Sequence, residues 1–253
     1  NGSSHPKWLE RGHETSFIIK MITKIIPIVV LISVFYIGSI YSSKSLSKKL
    51  EKKSKIFHDP VIDNYLKAFQ SILDLGKLQV FVLNEKQING LVTPNGNIYI
   101  TQGFINQYKL GKVSGVELTS VIAHELGHLA LGHTKKRLIT FSAISAISIV
   151  LSTILSRLLP YIGAIIGRYL SQVLISGLSR KDEFEADSYA AALLIKSGIG
   201  TAPQISLLKK LEQLTGIVSS RVTWTLSHPS PEQRINAIQN LEASWMTGIK
   251  DQN

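Results

Sequence analysis

Hydrophobic residues recur at three- and four-residue spacing over residues 116–133, which is the period of a helix with one buried face. The repeating positions are Leu118, Val121, Ile122, Leu126 and Leu129. Within this apolar stretch stand His124, Glu125 and His128, which form an HExxH pattern. Burying three such polar side chains without partners costs free energy, so the stretch predicts a chemical site on a buried helix rather than ordinary packing.

Apolar periodicity elsewhere predicts a mainly α-helical chain with a small β-sheet, an α+β fold. Residues 60–75 have the spacing of an amphipathic helix, and residues 78–83 are typical of a strand. The uncharged stretch 138–156 and the alanine- and leucine-rich stretch 179–194 predict two further helices. Beyond residue 235 a modest amphipathic tail follows.

Residues 91–101 predict a β-hairpin, because the turn residues Pro94, Asn95 and Gly96 precede an alternating strand. A functional interpretation stands beside this one. The strand is then an exposed edge near the HExxH helix, and its free backbone groups pair with an extended peptide. On that interpretation the predicted substrate-binding residues are Asn97, Ile98, Tyr99 and Ile100.

Charge-free stretches divide the chain into three predicted parts. Residues 1–20 are polar and aperiodic and are predicted to be a disordered or appended leader. Residues 21–45 contain an uncharged run at 25–41, which predicts a transmembrane anchor, with a signal segment as the alternative. Residues 46–253 are predicted to be one domain around the HExxH helix. Its apolar insert, 138–178, is either a hairpin in the bilayer or a helix at the membrane surface or in the core.

Composition and charge narrow the function classes. Hydrophobic residues make up 44% of the 253 residues and charged residues only 18%, with a net charge of +11. The sequence has no basic stripe interleaved with aromatic residues, so a nucleic-acid partner is not expected. The lysines of residues 44–55 follow the first apolar run and favour an anionic membrane surface. The absence of cysteine excludes a thiol nucleophile, a cysteine zinc site and disulfides.

His124 and His128 lie one turn apart on the same side of the predicted helix, so both imidazoles can reach one ion. Two histidines at this spacing are typical of zinc, which a catalytic site holds with three protein ligands and one open position. Glu125 can then take a proton from a metal-activated water without being a ligand. His133 is five residues past His128, so on a continuous helix it points away from the ligand face and is predicted to be structural.

A third metal ligand is predicted from the acidic start of the helix over residues 179–194. Glu183 and Asp187 share one face of it at four-residue spacing, so Glu183 can supply a zinc carboxylate. Asp187, one turn on, can accept the free N–H of a ligating histidine. Glu185 faces another side and is predicted to be solvated. The alternative is ordinary acidic enrichment at a helix N-terminus.

The pattern His124-Glu125-x-x-His128 with a later Glu183-x-x-x-Asp187 resembles the gluzincin family of zinc metallopeptidases. That family includes HtpX-type membrane proteases, mitochondrial Oma-type quality-control proteases and CaaX prenyl proteases. The resemblance covers roughly residues 60–240 in the expected order. It takes in residues 89–101, Ser179-Arg180, Ser227-His228-Pro229 and Arg234-Ile235.

The resemblance implies a zincin-like metalloprotease domain over residues 46–253, with one zinc ion per chain. The implied zinc ligands are His124, His128 and Glu183. The resemblance further implies that Glu125 is the general base, that Asp187 is a hydrogen-bond partner of a ligand, and that His228 faces the cleft to stabilise the oxyanion.

His228 and Arg234 also have physical interpretations of their own. Peptide hydrolysis requires a donor near the developing oxyanion, and the prolines that follow His228 stiffen its loop. A capping or surface histidine is the alternative. Arg234 is predicted either to pair with a substrate carboxylate or to brace the site.

Together these features predict a membrane-associated zinc metalloendopeptidase acting on misfolded or membrane-bound proteins, a substrate class implied by the resemblance. The expected location is a bacterial inner membrane with the catalytic domain in the periplasm, although the lysines at 44–55 favour the cytoplasmic side. One rival is a non-catalytic zinc-containing chaperone or assembly factor at the membrane. The intact Glu125 argues against it, because a structural zinc site needs no base. A membrane scaffold with accidental motifs, the other rival, predicts no bound metal.

Overall fold

The computed structural model describes residues 7–93, 95–158, 163–215 and 229–250. Over these residues helices dominate and four strands form one small mixed sheet, as the α+β prediction requires. The elements in chain order are α1 (Lys7–Lys53), β1 (Ser54–Ile56), α2 (Pro60–Leu73), β2 (Val80–Leu83), β3 (Gly90–Val92), β4 (Ile98–Thr101), α3 (Gln102–Lys109), α4 (Gly115–Ala130), α5 (His133–Leu158), α6 (Gly163–Lys196), α7 (Ala202–Thr215) and α8 (Pro231–Lys250).

The chain divides into two compact units. The helical unit comprises residues 1–41 and 138–171, and the mixed unit comprises residues 42–137 and 172–253. The mixed unit contains the sheet and all the described residues that were predicted to form the site.

The sheet of the mixed unit has the strand order β1-β2-β4-β3. β2 and β4 run parallel, with Val80 opposite Ile98, whereas β1 and β3 are antiparallel to their neighbours. β3 and β4 form the predicted hairpin. Its turn is closed by the Thr93 N–H, which donates to the Asn97 carbonyl at 3.0 Å, and Gly96 adopts φ +87° there. A positive φ is accessible to glycine without a steric penalty, so Gly96 suits this turn.

The prediction that residues 97–100 form an exposed edge was wrong. β4 pairs with β2 on one side and β3 on the other, and Ile98, Tyr99 and Ile100 are fully buried. The alternation of residues along the strand shows its two faces, but it does not show how many neighbours the strand has. The edge that borders the HExxH helix is β3 instead, which among the described strands pairs with β4 alone.

The core of the mixed unit forms around α4. The α4 residues Leu118, Ile122 and Leu126 are almost completely buried. Against them pack the apolar face of α2, two central strands and the later half of α6, through Ile62, Leu66, Phe69, Val80, Ile98, Ile100, Ala190, Leu193 and Leu194. Full burial of one such aliphatic side chain contributes about 1.5–3 kcal/mol, so this packing fixes α4 in place.

α2 forms largely as the periodicity predicts. It begins at Asp59, whose Oδ1 accepts from the N–H groups of Val61 and Ile62 at 3.0 and 3.2 Å, and Pro60 occupies the first turn. It ends at Leu73, before Asp74 in the left-handed region at φ +49°.

The helical unit consists of apolar helical segments. α1 begins at Lys7, so part of the predicted disordered leader is helical. Extending an established helix costs little free energy. Within the described residues, His133–Arg157 is the one helical segment long and apolar enough to cross a membrane by length and composition, with mean hydropathy 2.2. Only 12% of the most apolar 18-residue stretch of this segment is buried. The apolar run of α1, Ile25–Gly38, is shorter.

Candidate metal centre

The start of α4 is fixed by a capping box, the reciprocal hydrogen bonding of Ser114 and Glu117. The Ser114 hydroxyl accepts from the Glu117 N–H at 3.2 Å, and the Glu117 carboxylate accepts from the Ser114 N–H at 2.8 Å. The other Glu117 oxygen accepts from Ser206 at 2.7 Å and Lys210 at 2.6 Å, both on α7. The helix that carries HExxH is therefore held at its N-terminus by α7 as well as by its apolar face.

Three predicted ligands converge between α4 and α6. The Nε2 atoms of His124 and His128 lie 3.1 Å apart. The Glu183 carboxylate reaches both rings, with Oε2 at 3.5 Å from His124 Nε2 and Oε1 at 3.4 Å from His128 Nε2. All three side chains are largely shielded from solvent, with side-chain exposures of 13%, 8% and 5% for His124, His128 and Glu183.

This donor set fits a zinc ion. Ligand atoms at about 2.0–2.1 Å from a tetrahedral ion are separated by about 3.3 Å from one another. The two Nε2 atoms lie 3.1 Å apart, and the Glu183 carboxylate approaches each of them with a different oxygen, at 3.4 and 3.5 Å. Two imidazole nitrogens and one carboxylate also match the composition of catalytic zinc sites, which leave a fourth position open. The residues present can therefore hold one zinc ion.

The two ligand-bearing helices approach closely at Gly127, inside the HExxH motif. A Cβ atom on Gly127 would lie 2.9 Å from the Ala186 carbonyl oxygen and 3.1 Å from the Ala186 Cα. Such distances are shorter than van der Waals contact, so only a residue without a side chain lets α6 pack this near to α4. The glycine thus brings Glu183, one turn before Ala186, within reach of the two histidines.

Asp187 lies behind His124, as predicted. Its Oδ1 is 3.0 Å from His124 Nδ1, the ring nitrogen that does not face the ligand cluster. Arg234 binds the same carboxylate with two donors, Nε at 2.6 Å and Nη2 at 2.7 Å, and Gln204 adds a third donor at 3.2 Å. A carboxylate held in this way fixes the tautomer and ring orientation of His124.

The prediction that Arg234 contacts substrate is not supported by its placement. Arg234 is only 8% exposed, and its guanidinium lies against Asp187 in a two-point ion pair. The alternative, that Arg234 braces the site, agrees with this geometry. α8 holds it there, because Ile238 packs against Ala191 of α6 and Leu208 of α7.

Glu125 is buried beside the edge strand β3. It is 9% exposed, and a Cβ atom on Gly90 of β3 would lie 3.2 Å from its Oε1. Among the described residues no side chain or N–H group donates a hydrogen bond to this carboxylate, in contrast to Glu183 and Asp187. Glu125 is therefore available to a group bound between the metal ligands and β3.

His133 does not lie on the side of the helix that a continuous helical period predicts. α4 ends at Ala130 and α5 begins at His133, with Gly132 at φ +69° between them, so the helix is not continuous. The turn brings the buried His133 ring back against His128, with the two Nδ1 atoms 3.0 Å apart. On its other side, His133 Nε2 lies 3.0 Å from the Glu185 carboxylate. The Glu185 side chain is 40% exposed, in line with its predicted solvation, but its contact with His133 was not predicted.

Two cations flank the acidic residues of α6. Lys136 Nζ lies 2.7 Å from the buried Asp182 carboxylate, and Arg137 reaches both Asp182 at 3.4 Å and Glu183 at 3.1 Å. These pairs join the first turn of α5 to α6. They also neutralise the charge of Asp182, the residue that precedes Glu183. These ion pairs were not predicted, although three consecutive basic residues, 135–137, directly follow the HExxH region.

The buried charges shift one another's pKa values. Burial alone lowers the pKa of His124, but its hydrogen bonds to Asp187 and Glu183 outweigh burial and raise the pKa to about 9. Burial lowers the pKa of His128, whose Nδ1 faces His133. Burial raises the pKa of Asp187, but the Arg234 charge and hydrogen bonds overcome this and lower it to about 2. Burial raises the pKa of the Glu125 carboxyl.

The predicted oxyanion residue His228 lies outside the described residues. The description resumes at Pro229, which is buried, and Pro231 begins α8.

Comparison with known proteins gives a family match. The family model described as peptidase family M48 matches residues 61–242. The metalloprotease LoiP of Escherichia coli K12 is 31% identical over 166 residues, which cover 61% of this chain and 59% of that protein. The β-barrel assembly-enhancing protease of Yersinia pestis is 22% identical over 205 residues, 76% of this chain and 41% of that protein. The mitochondrial metalloendopeptidase OMA1 of Arabidopsis thaliana is 26% identical over 193 residues, 74% of this chain and 37% of that protein.

Each match thus spans well under two thirds of the relative's own length. Among solved structures, the crystal structure of S. mikatae Ste24p shares the fold with a TM-score of 0.50 and 19% identity. That match covers 91% of this chain and 65% of Ste24p.

Proposed function

The chain belongs to peptidase family M48, and from that premise we propose that it is a zinc-dependent metalloendopeptidase. The observation that supports this most directly is the convergence of His124, His128 and Glu183, whose nitrogen and oxygen atoms lie close enough together to hold one ion. One ion per chain would be held there. Zinc in such a site acts as a Lewis acid that polarises a carbonyl and makes a water acidic at neutral pH.

The chain's own residues have distinct roles in the proposed reaction. Glu125 takes the proton from the attacking water and passes it to the leaving amine. Its carboxylate is suited to both steps, because it is buried and not held by another donor of the described residues. Asp187, bound by Arg234, keeps the proton of His124 on Nδ1 and so leaves Nε2 free to ligate. His228 is proposed to donate to the oxyanion, a role derived from the sequence alone.

The proposed substrate surface is β3, Gly90–Val92. It is an edge strand that borders α4, and Gly90 lies next to the Glu125 carboxylate. An extended peptide added to this edge would pair through its main chain, which requires no particular substrate sequence. A segment has to be unfolded to bind in this way, so the proposed substrates are misfolded or membrane-bound proteins. The name of the Yersinia pestis relative, a β-barrel assembly-enhancing protease, agrees with a membrane-protein substrate.

A membrane location is also proposed. The His133–Arg157 segment is long and apolar enough to span a bilayer, yet little of it is buried. Isoleucines along it remain about half exposed, namely Ile139, Ile147, Ile149 and Ile154. A soluble protein rarely exposes so much continuous apolar surface to water. We propose the inner membrane of a bacterium, with the mixed unit on the periplasmic side.

The proposed function is tested by comparing wild type with Glu125→Gln, which preserves side-chain size and removes the basic carboxylate. Each protein is purified in detergent, its zinc content is measured, and cleavage of quenched fluorescent casein is followed with and without a chelator. We expect one zinc per chain in both proteins and cleavage in wild type alone, abolished by the chelator and restored by zinc. A variant that retains zinc and cleaves at the wild-type rate would contradict the role of Glu125.

A matched control is Glu232→Gln, an exposed glutamate in the first turn of α8. It makes the same chemical change outside the site and should leave both zinc content and cleavage unchanged. Zinc in wild type without cleavage of casein or of unfolded membrane proteins would favour the non-catalytic chaperone. The absence of zinc from wild type would refute the proposed metal centre.

A further inference from the structure

We propose that His133 and Glu185 form a hydrogen-bond relay that orients the metal ligand His128. Both histidine ligands would then be held by a carboxylate, His124 directly by Asp187 and His128 through a second imidazole. The inference deepens the proposed function, because it assigns two positioning residues to the same zinc site.

The relay follows from two short contacts on opposite sides of one ring. His133 Nδ1 lies 3.0 Å from His128 Nδ1, and His133 Nε2 lies 3.0 Å from Glu185 Oε2. The His133 ring is 1% exposed and packs edge-on against His128, with ring centroids 5.1 Å apart. Its position is therefore set by the fold and not by solvent.

The direction of the hydrogen bonds follows from the metal site. His128 presents Nε2 to the ligand cluster, so as a zinc ligand it carries its proton on Nδ1. His133 must then accept at Nδ1, which leaves its own proton on Nε2. That proton points at Glu185, an acceptor. Only this arrangement satisfies all three groups with a neutral His133, and it fixes the tautomer of His128 as Asp187 fixes that of His124.

A second metal ion at His133, Asp182 and Glu185 is the competing interpretation, since their ligand atoms lie within 4.8 Å of one another. Existing partners argue against it. Lys136 and Arg137 already bind Asp182 at 2.7 and 3.4 Å, and Lys181 lies 3.6 Å from Glu185. A cation placed among them would have to displace or repel these side chains.

The test compares two substitutions at His133 of similar size, one with a polar amide end and one with an apolar end. His133→Asn keeps a polar oxygen where the imidazole Nδ1 lies and can still accept from His128. His133→Leu places a methyl group there and cannot. Zinc affinity of each purified protein is measured by competition with a chromophoric chelator, and unfolding of the metal-free proteins is measured alongside.

We expect His133→Leu to raise the zinc Kd about 10–100-fold and His133→Asn to raise it less than about threefold. Glu185→Ala should weaken zinc binding by a smaller factor than His133→Leu, because it removes only the far end of the relay. The control Lys181→Ala removes the exposed partner of Glu185 and should leave the zinc affinity unchanged. NMR of the zinc form with ¹⁵N-labelled histidine should show His133 neutral, with its proton on Nε2.

Three results would overturn the relay. The first is wild-type zinc affinity in His133→Leu. The second is equal loss in His133→Leu and His133→Asn together with equal loss of metal-free stability, which indicates a packing role. The third is a wild-type stoichiometry of two zinc ions that falls to one in His133→Leu, which would make His133 a ligand. Because zinc affinity is measured without substrate, a wild type that binds zinc but cleaves nothing would refute the peptidase while leaving the relay standing.

Discussion

The substitution Gly127→Ala tests whether the close contact of α4 and α6 sets the geometry of the metal site. The new methyl group would lie 2.9 Å from the Ala186 carbonyl oxygen and 3.2 Å from the Tyr189 Cβ. Ordinary contact requires about 3.5 Å, so α6 has to move outward by about 0.5 Å. The obstruction includes backbone atoms, which cannot rotate away as a flexible side chain can.

The expected effect on stability is modest. Overpacking costs about 1–3 kcal/mol, and replacing a helical glycine by alanine returns about 1 kcal/mol. The net loss for the metal-free protein is then about 0–2 kcal/mol. Zinc affinity is sensitive to the same movement, because the distances between the ion and its ligands tolerate only about 0.2 Å of error. A shift of α6 by 0.5 Å carries Glu183 with it, and we expect the zinc Kd to rise about tenfold or more.

The assay measures zinc affinity by chelator competition and the unfolding midpoint of the metal-free protein, for wild type, Gly127→Ala and Gly76→Ala. No atom of the described residues beyond the chain neighbours of Gly76 lies within 4 Å of the added Cβ, so both quantities should stay at wild-type values. Wild-type zinc affinity in Gly127→Ala would refute the argument that helix proximity sets the ligand geometry.

Two further substitutions test the charges that support the site. Arg234→Met leaves the buried Asp187 carboxylate without its cation, so it should cost about 3–5 kcal/mol of folding free energy, measured by denaturant unfolding. A raised KM at unchanged stability would support a substrate contact instead. Glu117→Gln should cost about 1–3 kcal/mol at pH 7, since it weakens the capping box and the bond to Lys210. Burial opposes ionisation of Glu117, but its hydrogen bonds prevail and lower its pKa below 4.5. The stabilisation should therefore be complete above pH 4.5 and disappear as the pH falls through the folded-state pKa, so a wild-type advantage that grows on acidification would contradict it.

The sequence was sufficient to predict the groups whose relation is local. His124 and His128 share a helical face at four-residue spacing, and so do Glu183 and Asp187. Helical geometry alone makes each pair adjacent, whatever the rest of the chain does. The HExxH pattern then supplies the reason to join the two helices through one ion. The same locality explains why α2 and the hairpin were predicted close to their observed limits.

The predictions that were wrong depend on relations that periodicity does not encode. The neighbours of β4 follow from the parallel pairing of β2 with β4, which places β3 at the edge. His133 was assigned to the wrong side because the phase was extended through Gly132, where the helix breaks. A glycine followed by a histidine at the end of an apolar helix is itself a stop signal, so this error could have been avoided from the sequence.

The contacts of Arg234 show how the two kinds of information combine in the site. Glu183 and Asp187 are close in sequence, but Arg234, which binds Asp187, reaches it from α8, 47 residues later. Arg234 is held in position because Ile238 of the same helix packs against Ala191 of α6 and Leu208 of α7. Substitution of Ile238 therefore weakens the same interaction as substitution of Arg234, through packing alone. The residues that perform the proposed chemistry lie in short sequence motifs, whereas the packing of the core sets the orientation of their side chains.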